Sequence, residues 1–308
     1  MNYIVTTTIQ KPTEATLKFA SMPDWHLIVV GDLKTPHNEY RALKNITYLS
    51  PEDQDKMDFK LSEAIGWNKI QRRNFGFIEA YKRGDAFLVA TVDDDNIPYD
   101  NWGKNILVGQ KDFEYFWCET QDKVFDPLSA TNHNQYWHRG FPLSLLRTKN
   151  NIKVQQEKNE RLFAIQANLW DGDPDIDAFC RLEHAPECKF RTMLPFAGNK
   201  FSPFNSQNTI LHREVLPHYM MLPFVGRADD IWPSYYVQSL GFEVIYDKAT
   251  VYQDRNEQNL MKNLNDEFLM YEKTLQLIEK LEQDPQFFWQ FLPDRTAESF
   301  RLYQKNFK

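Results

Sequence analysis

Short apolar runs alternate with helix-like segments through the first ninety residues. The runs "YIVTTTI" (3–9), "WHLIVVGD" (25–32) and "ITYLS" (46–50) are compact, rich in β-branched residues and followed by turn residues. Helical patterns follow two of them: Thr13 is a candidate N-cap, and Pro51 takes the first position of a second helix. Continuous apolar strands separated by helices predict an α/β fold, with a mainly parallel central sheet flanked by helices.

The pattern leads to a strand that ends on three carboxylates. The segment "NKIQRRNFGFIEAYKRG" (68–84) has apolar residues at helical spacing and ends on a glycine of the kind that closes helices. The run "AFLVATV" (86–92) predicts a buried strand, and Asp93, Asp94 and Asp95 follow it directly. Because open α/β sheets bind ligands beyond the carboxyl ends of their strands, this triplet is the first candidate site.

The rest of the chain is less regular until its last fifty residues. Strands are expected at "EYFWC" and "RLFAIQANLW", and the tail from residue 259 has apolar residues at helical spacing. We therefore predict one catalytic domain, residues 1–258, and a helical C-terminal extension, residues 259–308, packed on it.

Charge and motif content exclude several classes of protein. A formal net charge of −7 without a basic block argues against a nucleic-acid or anionic-membrane partner. Three cysteines without a C-x-x-C pair fit a reducing compartment, and the lack of a long apolar run predicts no transmembrane segment and a cytoplasmic location. Scattered histidines argue against zinc, and the chain has no Walker loop, G-x-S-x-G elbow or G-x-G-x-x-G fingerprint.

The aspartate triplet has the chemistry of a divalent-cation site. Alternate residues of an extended segment point to the same side, so Asp93 and Asp95 can share one ion while Asp94 faces elsewhere. Oxygen ligands suit Mg²⁺ or Mn²⁺, ions that retain water and grip a diphosphate. The alternative is a solvated acidic turn ahead of "NIPYD".

A second acidic pair lies in "GRADDIW". Asp229 or Asp230 is a candidate general base or a ligand for a substrate hydroxyl, and Trp232 is a candidate ring for stacking on a sugar. The alternative is a helix N-terminus, where acidic residues favour the helix dipole.

Three arginines are candidates for holding a diphosphate in this acidic chain. Arg72 and Arg73 in "IQRRNFGF" and Arg139 in "YWHRGFPLSLLR" are surrounded by aromatic residues and glycine rather than by other charges. A planar guanidinium donates two parallel hydrogen bonds to phosphate oxygens. For each of them the alternative is a surface or ion-paired residue.

Several stretches together resemble two related families. "VVGDLKTP", "ITYLSPEDQ" and "QRRNFGFIEAYKRG" are similar to STELLO-type glycosyltransferase-like proteins. "TVDDDNIP", "HRGFPLSLL", "LWDGDPDIDA" and "GRADDIWPSYYVQSLGFEVIY" resemble the reversibly glycosylated polypeptides, whose plant members are UDP-arabinopyranose mutases. The resemblance runs from about residue 3 to about residue 268. It implies a GT-A-like nucleotide-diphospho-sugar fold, with a UDP-sugar as the expected ligand.

The resemblance also implies roles for particular residues. It makes Arg139 the arginine associated with reversible glycosylation, and it makes the triplet the site for a metal and the sugar diphosphate. Where the plant pattern has a metal-associated histidine, this chain has Gln253, which makes the amide a weaker third ligand beside Asp93 and Asp95. The first strand-to-helix turn of such folds lies beside the ligand. Thr7, Thr8 and Asp32 are therefore the candidates for the base and ribose.

Three functions follow from these expectations. The first is a metal-dependent UDP-sugar pyranose/furanose mutase, which cleaves and re-forms the bond between sugar and diphosphate with Arg139 at the anomeric carbon or the β-phosphate. The second is a glycosyltransferase that moves the sugar to a surface-glycan acceptor, with Asp229 or Asp230 as base. The third is a non-catalytic subunit that binds a nucleotide sugar. Mn²⁺ or Mg²⁺ is the expected cofactor, and a homo-oligomer is left open.

Overall fold

A computed structural model describes residues 1–184, 186–191, 194–255 and 258–308. Within these ranges the chain forms one eleven-stranded sheet and eight α-helices. The strands are β1 (Asn2–Thr8), β2 (Trp25–Gly31), β3 (Ile46–Leu49), β4 (Leu88–Val92), β5 (Asn96–Pro98), β6 (Glu114–Thr120), β7 (Ile152–Lys158), β8 (Ile165–Gly172), β9 (Phe196–Gly198), β10 (Asn208–His212) and β11 (Val244–Gln253). The helices are α1 (Glu14–Ala20), α2 (His37–Ala42), α3 (Pro51–Ile65), α4 (Asn74–Lys82), α5 (Ala178–Glu183), α6 (Ile231–Ser239), α7 (Leu260–Leu281) and α8 (Asp294–Lys305).

The sheet has a parallel half and a mixed half. Its strand order is β3-β2-β1-β4-β10-β8-β11-β9-β6-β7, and β5 pairs with β11 off this path. The first four strands pair in parallel, as the strand–helix alternation predicts. Beyond β4 the pairing is mixed: β10 is antiparallel to both neighbours, whereas β8 and β11 are parallel. The predicted α/β class, with a central sheet flanked by helices, is confirmed.

Local signals in the sequence explain where the early helices begin. The hydroxyl of Thr13 accepts a hydrogen bond from the backbone N–H of Thr16 and caps α1. Ser50 and Asp53 form a reciprocal capping box at the start of α3, with Pro51 at its first position. The segment 68–84 is a 3-10 turn, Ile70–Arg73, that continues into α4, rather than one regular helix.

The C-terminal helices share the core of the sheet. Buried side chains of α7, α8 and the 3-10 helix Pro285–Phe291 belong to the same apolar cluster as the strand residues. They include Met270, Leu277, Ile278, Leu281, Phe288, Phe300 and Tyr303. The helical character predicted for residues 259–308 is confirmed, while the division at residue 258 stays a prediction. None of the described helices is both long and apolar enough to cross a membrane.

Candidate functional site

A cavity of about 410 Å³ lies next to the ends of β4 and β11. Six carboxylates and three guanidinium groups line it, so the cavity as a whole is anionic. A diphosphate therefore needs added positive charge to bind here. The charged lining residues are Asp93, Asp95, Asp175, Asp229, Asp230, Asp266, Arg139, Arg227 and Arg255.

A second cavity of about 300 Å³ adjoins the first, and Ile70 lines both. The second cavity is bounded by the predicted base and ribose residues together with Asp94. The triplet therefore stands at the junction, with Asp94 on one cavity and its two neighbours on the other. The predicted lining residues are Thr7, Thr8, Asp32 and Asp94.

Hydrogen bonds fix the predicted residues of the second cavity. Thr7 Oγ1 donates to the carbonyl of Val30 at 2.8 Å. The hydroxyl of Thr8 donates to the Asp94 carboxylate and accepts the backbone N–H of Gln10. The buried carboxylate of Asp32 accepts the backbone N–H groups of three residues, at 2.6–2.9 Å. These donors belong to Leu33, Asn68 and Lys69. Asp32 thus anchors the loop before the 3-10 turn and also faces the cavity.

The outer carboxylates of the triplet have different partners. Arg73 Nη2 binds Asp93 Oδ1 at 2.5 Å, and the same guanidinium donates to Thr91 and Ser206. Gln253 Nε2 lies 3.5 Å from Asp95 Oδ1. Burial, together with the negative charge of Asp93, raises the pKa of Asp95 to about 7. Asp93 and Asp95 therefore form an under-compensated pair of negative groups.

This donor set fits a hard divalent cation, because a cation offsets the repulsion that raises the pKa of Asp95. The described residues hold no group of three His, Cys, Asp or Glu side chains close enough to bind an ion. The remaining ligands would then come from substrate and water, as Mg²⁺ commonly arranges. Gln253 lies beside Asp95 but presents its amide nitrogen to it. Its Oε1 accepts hydrogen bonds from Gln207 and Arg255, so the predicted role as a metal ligand conflicts with these contacts.

The second acidic pair also separates into two environments. Asp230 Oδ2 accepts the backbone N–H of Ser206 at 2.9 Å and its hydroxyl at 3.1 Å, and Oδ1 lies 3.0 Å from Arg139 Nη1. Asp229 Oδ2 accepts a hydrogen bond from Gln71 Nε2 at 2.7 Å. Burial and the charge of Asp230 raise the pKa of Asp229 to about 7. Asp229 therefore has the pKa that suits a general base near neutral pH.

Arg139 lies in the first cavity with its donors committed to the protein. Nε and Nη2 bind Asp175 at 2.8–3.0 Å, and Nη2 also reaches Asp230. Nη1 faces Asp230 and donates to the carbonyl of Arg227. Burial alone would raise the pKa of Asp175, but the charge and hydrogen bonds of Arg139 hold that pKa well below its usual range. Arg139 thus ties three segments of the chain together.

Three sequence-based assignments are wrong, because the side chains point into the protein. Arg73 is buried, lines neither cavity and directs its guanidinium to Asp93, Thr91 and Ser206. The guanidinium of Arg72 is fully buried, donates to Gln54 and Ser62, and stacks at 3.6 Å on the ring of Trp67. The indole of Trp232 is also fully buried, with its Nε1 donating to Thr274 at 3.0 Å. None of these three side chains is placed to bind a diphosphate or to stack on a sugar.

The structure also brings in charged residues that the sequence reasoning missed. Asp175 accepts from Arg139 and Arg227, and Arg227 Nε binds Glu267 of α7 at 2.7 Å. Arg255 follows β11 by two residues and lines the same cavity. Asp175 lies inside the stretch "LWDGDPDIDA", and Arg255 follows Gln253 by two residues. Nearness to residues that the resemblance singled out is therefore the signal that could have found them.

Comparisons with known proteins identify distant relatives. No protein-family model matches the chain. Probable glycosyltransferase STELLO1 of Arabidopsis thaliana is 23% identical over 265 residues, which cover 79% of this chain and 33% of the relative. Probable glycosyltransferase STELLO2 of the same plant is 22% identical over 283 residues, 83% of this chain and 36% of the relative. The chain thus spans about a third of the length of the curated relatives it matches.

Solved structures show a more distant likeness. Glucosyl-3-phosphoglycerate synthase from Mycobacterium tuberculosis in complex with uridine diphosphate is 14% identical, with a TM-score of 0.45. The complex of that synthase with Mn²⁺, UDP-glucose and glycerol 3-phosphate is 13% identical, with a TM-score of 0.42. Each alignment covers 91% of this chain and 79% of that chain.

The STELLO part of the sequence resemblance is therefore confirmed as distant homology to probable glycosyltransferases. The assignment to the reversibly glycosylated polypeptides, and with it the mutase, stays a prediction.

Proposed function

We propose that this chain is a metal-dependent glycosyltransferase that moves a sugar from a nucleoside diphosphate, best a UDP-sugar, to an acceptor hydroxyl. The observation that carries the proposal is one cavity lined by both acidic pairs, Asp93 with Asp95 and Asp229 with Asp230. The homology to probable glycosyltransferases supports the transferase over the mutase.

The donor half of the site would use the triplet and the second cavity. Asp93 and Asp95 would hold Mn²⁺ or Mg²⁺, which when bound supplies positive charge to the departing diphosphate. The second cavity, with Thr7, Thr8 and Asp32 on its wall, has room and polar groups for the nucleoside. Asp94 accepts the hydroxyl of Thr8 on the wall of the second cavity, where it would face the donor.

The acceptor half would use Asp229 as base. The acceptor hydroxyl gives its proton to the Asp229 carboxylate while its oxygen bonds to the anomeric carbon. The bond from that carbon to the diphosphate oxygen breaks, and the nucleoside diphosphate leaves with the electron pair. Asp230 already contacts Arg139 and Ser206, whereas Asp229 accepts a side-chain hydrogen bond from Gln71 and has its pKa raised.

The contacts of Arg139 favour the transferase over the mutase. A role at the anomeric carbon or the β-phosphate needs donors directed at the substrate, whereas its guanidinium faces Asp175, Asp230 and the carbonyl of Arg227. In the transferase, Arg139 is a positioning residue that fixes Asp230 beside the base. The transferase therefore needs no rearrangement of this guanidinium.

The test is incubation of the purified protein with UDP-, GDP- and dTDP-sugars and Mn²⁺, with and without glycan acceptors, followed by chromatography of all products. We expect acceptor-dependent release of the nucleoside diphosphate, lost in Asp95→Asn and Asp229→Asn. Asp112→Asn is the control, because Asp112 is an exposed residue paired with Lys158 outside both cavities. An isomeric nucleotide sugar formed without acceptor would establish the mutase, and donor binding without turnover would establish the non-catalytic subunit.

A further inference from the structure

Arg255 is a buried guanidinium in the donor half of the site. It lies two residues beyond β11, and its side chain is 8% exposed. It lines the first cavity together with Asp93, Asp95 and Gln253. Its charge also acts on Asp95, where it opposes the rise in pKa. Arg255 therefore stands beside the carboxylates that would hold the metal.

The guanidinium of Arg255 is weakly compensated for a buried charge. Its Nη2 donates to Gln253 Oε1 at 3.1 Å. The nearest carboxylate oxygens are farther away, at 3.9 Å from Nε on Asp173 and at 4.0 Å from Nη2 on Asp175. Nε is buried, and no residue that the structure describes accepts a hydrogen bond from it. A buried donor left without a partner is costly, and a ligand in this cavity would supply the missing acceptor.

The other arginines near the triplet each have a carboxylate within 3.0 Å. Arg73 binds Asp93 and Ser206, and Arg139 binds Asp175 and Asp230. Arg227 directs Nε to Glu267 at 2.7 Å and Nη2 to Asp175 at 3.4 Å. Arg255 is the cavity guanidinium that has the weakest contacts to carboxylates among the described residues.

We infer that Arg255 binds the diphosphate of the donor, with Nε and an Nη nitrogen directed at phosphate oxygens. The inference rests on the proposed function for the identity of the donor, but the anion recognised is the diphosphate itself. Six carboxylates oppose three guanidinium groups in the cavity, so a diphosphate needs every cationic contact available there. A guanidinium fork matches phosphate geometry, whereas an ammonium offers a point charge.

The experiment is calorimetric titration of the full chain with UDP and, separately, with inorganic pyrophosphate, each in Mn²⁺. Loss of a charge-assisted pair of hydrogen bonds predicts that Arg255→Gln weakens both ligands about 10–100-fold. Arg255→Lys, which keeps the charge and is the fallback if the glutamine variant does not fold, is expected to weaken both about 3–10-fold. The matched control is Arg161→Gln, because Arg161 is an exposed arginine paired with Glu243 outside both cavities.

The outcomes separate this inference from the proposed function. Diphosphate binding that is lost in Arg255→Gln, in a protein that transfers no sugar, upholds Arg255 and refutes the transferase. Binding that is unchanged in Arg255→Gln, or in Arg255→Lys where only that variant folds, overturns the inference and leaves the transferase standing. A wild-type protein that binds neither UDP nor pyrophosphate overturns both.

Discussion

The neighbouring carboxylates of Asp229 and Asp230 have different environments, because they contact different hydrogen-bonding and charged groups. Asp230 receives the N–H and hydroxyl of Ser206, and its Oδ1 lies 3.0 Å from Nη1 of Arg139. Asp229 is buried beside that negative charge and receives a side-chain hydrogen bond from Gln71. Burial and the charge of Asp230 raise the pKa of Asp229 to about 7, which suits a general base near neutral pH. In the proposed transferase, Asp229 is therefore the group that takes the proton.

The first prediction concerns the pH dependence of transfer. The pKa of Asp229 is raised to about 7, so at pH 6 its carboxyl is largely protonated and unable to take a proton from the acceptor. In the metal-saturated enzyme, kcat/KM is expected to rise with pH through about 7 and then level off. Asp229→Asn should lower kcat by about 10²–10⁴-fold. The measurement is the pH profile from 5.5 to 8.5.

The exposed variant Asp112→Asn serves as control and should keep both the rate and the rising limb. A profile that is flat or falls from pH 6 to 8 would contradict the assignment. So would an Asp229→Asn variant that retains the rising limb at an undiminished rate.

A 3-10 turn ahead of α6 positions the two carboxylates of the second acidic pair. The 3-10 turn Gly226–Ala228 precedes α6 and bears Arg227, with Asp229 and Asp230 directly after it. Gly226 has φ +59°, and a Cβ there would lie 2.0 Å from the carbonyl oxygen of Asp266 in α7. The contact leaves no room for a side chain, so α7 and the turn fix each other's position.

The second prediction is a specific loss of activity in Gly226→Ala. The added methyl must displace the turn from α7, which moves Asp229 and Asp230 relative to the donor half. We expect kcat to fall at least about 10-fold, since small misplacements of catalytic groups are costly.

The matched control is Gly84→Ala: its φ is +77°, but a Cβ there meets no described atom within 4 Å. Backbone strain should lower the free energy of unfolding of that variant by about 1 kcal/mol, and its kcat should be unchanged. Equal kcat in the two variants would argue against a positioning role for the turn.

Local sequence patterns predict the early strands and helix starts, but they do not predict side-chain directions or long-range contacts. The early strands and the caps at Thr13 and Ser50 follow from local patterns, and the structure confirms them. The roles expected for Arg72 and Trp232 failed because neighbours in sequence do not reveal which way a side chain points. Contacts such as Arg139 with Asp175, 36 residues apart, depend on the packed fold and have no local signature.

Further along the chain, the pairing of the sheet also escaped prediction. Apolar strands separated by helices predict parallel neighbours, and this holds from β1 to β4. Strand β10 instead runs antiparallel between β4 and β8. Its sequence, NTILH, has only two apolar residues, Ile210 and Leu211, so it lacks the continuous apolar run that marks the early strands. The direction is set by the connections, which the pattern does not encode.

At the scale of the whole molecule, the C-terminal helices share the core of the sheet and contact the candidate site. Glu267 of α7 binds Arg227 of the site, and Thr274 of α7 accepts the indole N–H of Trp232. Tyr303 of α8 donates to the carbonyl of Leu216 from inside the core. Residues of α7 and α8 thus bury apolar surface of the sheet and hold a charged residue of the first cavity.

The third prediction follows from this shared core. A chain ending at residue 258 exposes the surface now covered by Met270, Leu277, Phe300 and their buried neighbours, and it leaves Arg227 without Glu267. Each large apolar side chain is worth about 1.5–3 kcal/mol, so losing several exceeds the ~5–15 kcal/mol by which domains are stable. The truncated chain should therefore show no cooperative thermal transition and no nucleotide binding.

Phe268→Ser in the full chain is the control, because that exposed side chain lies outside the core and its loss should leave Tm within a few degrees. A truncated chain that melts cooperatively and still binds UDP would mean that residues 1–258 fold alone and that α7 and α8 are an appendage.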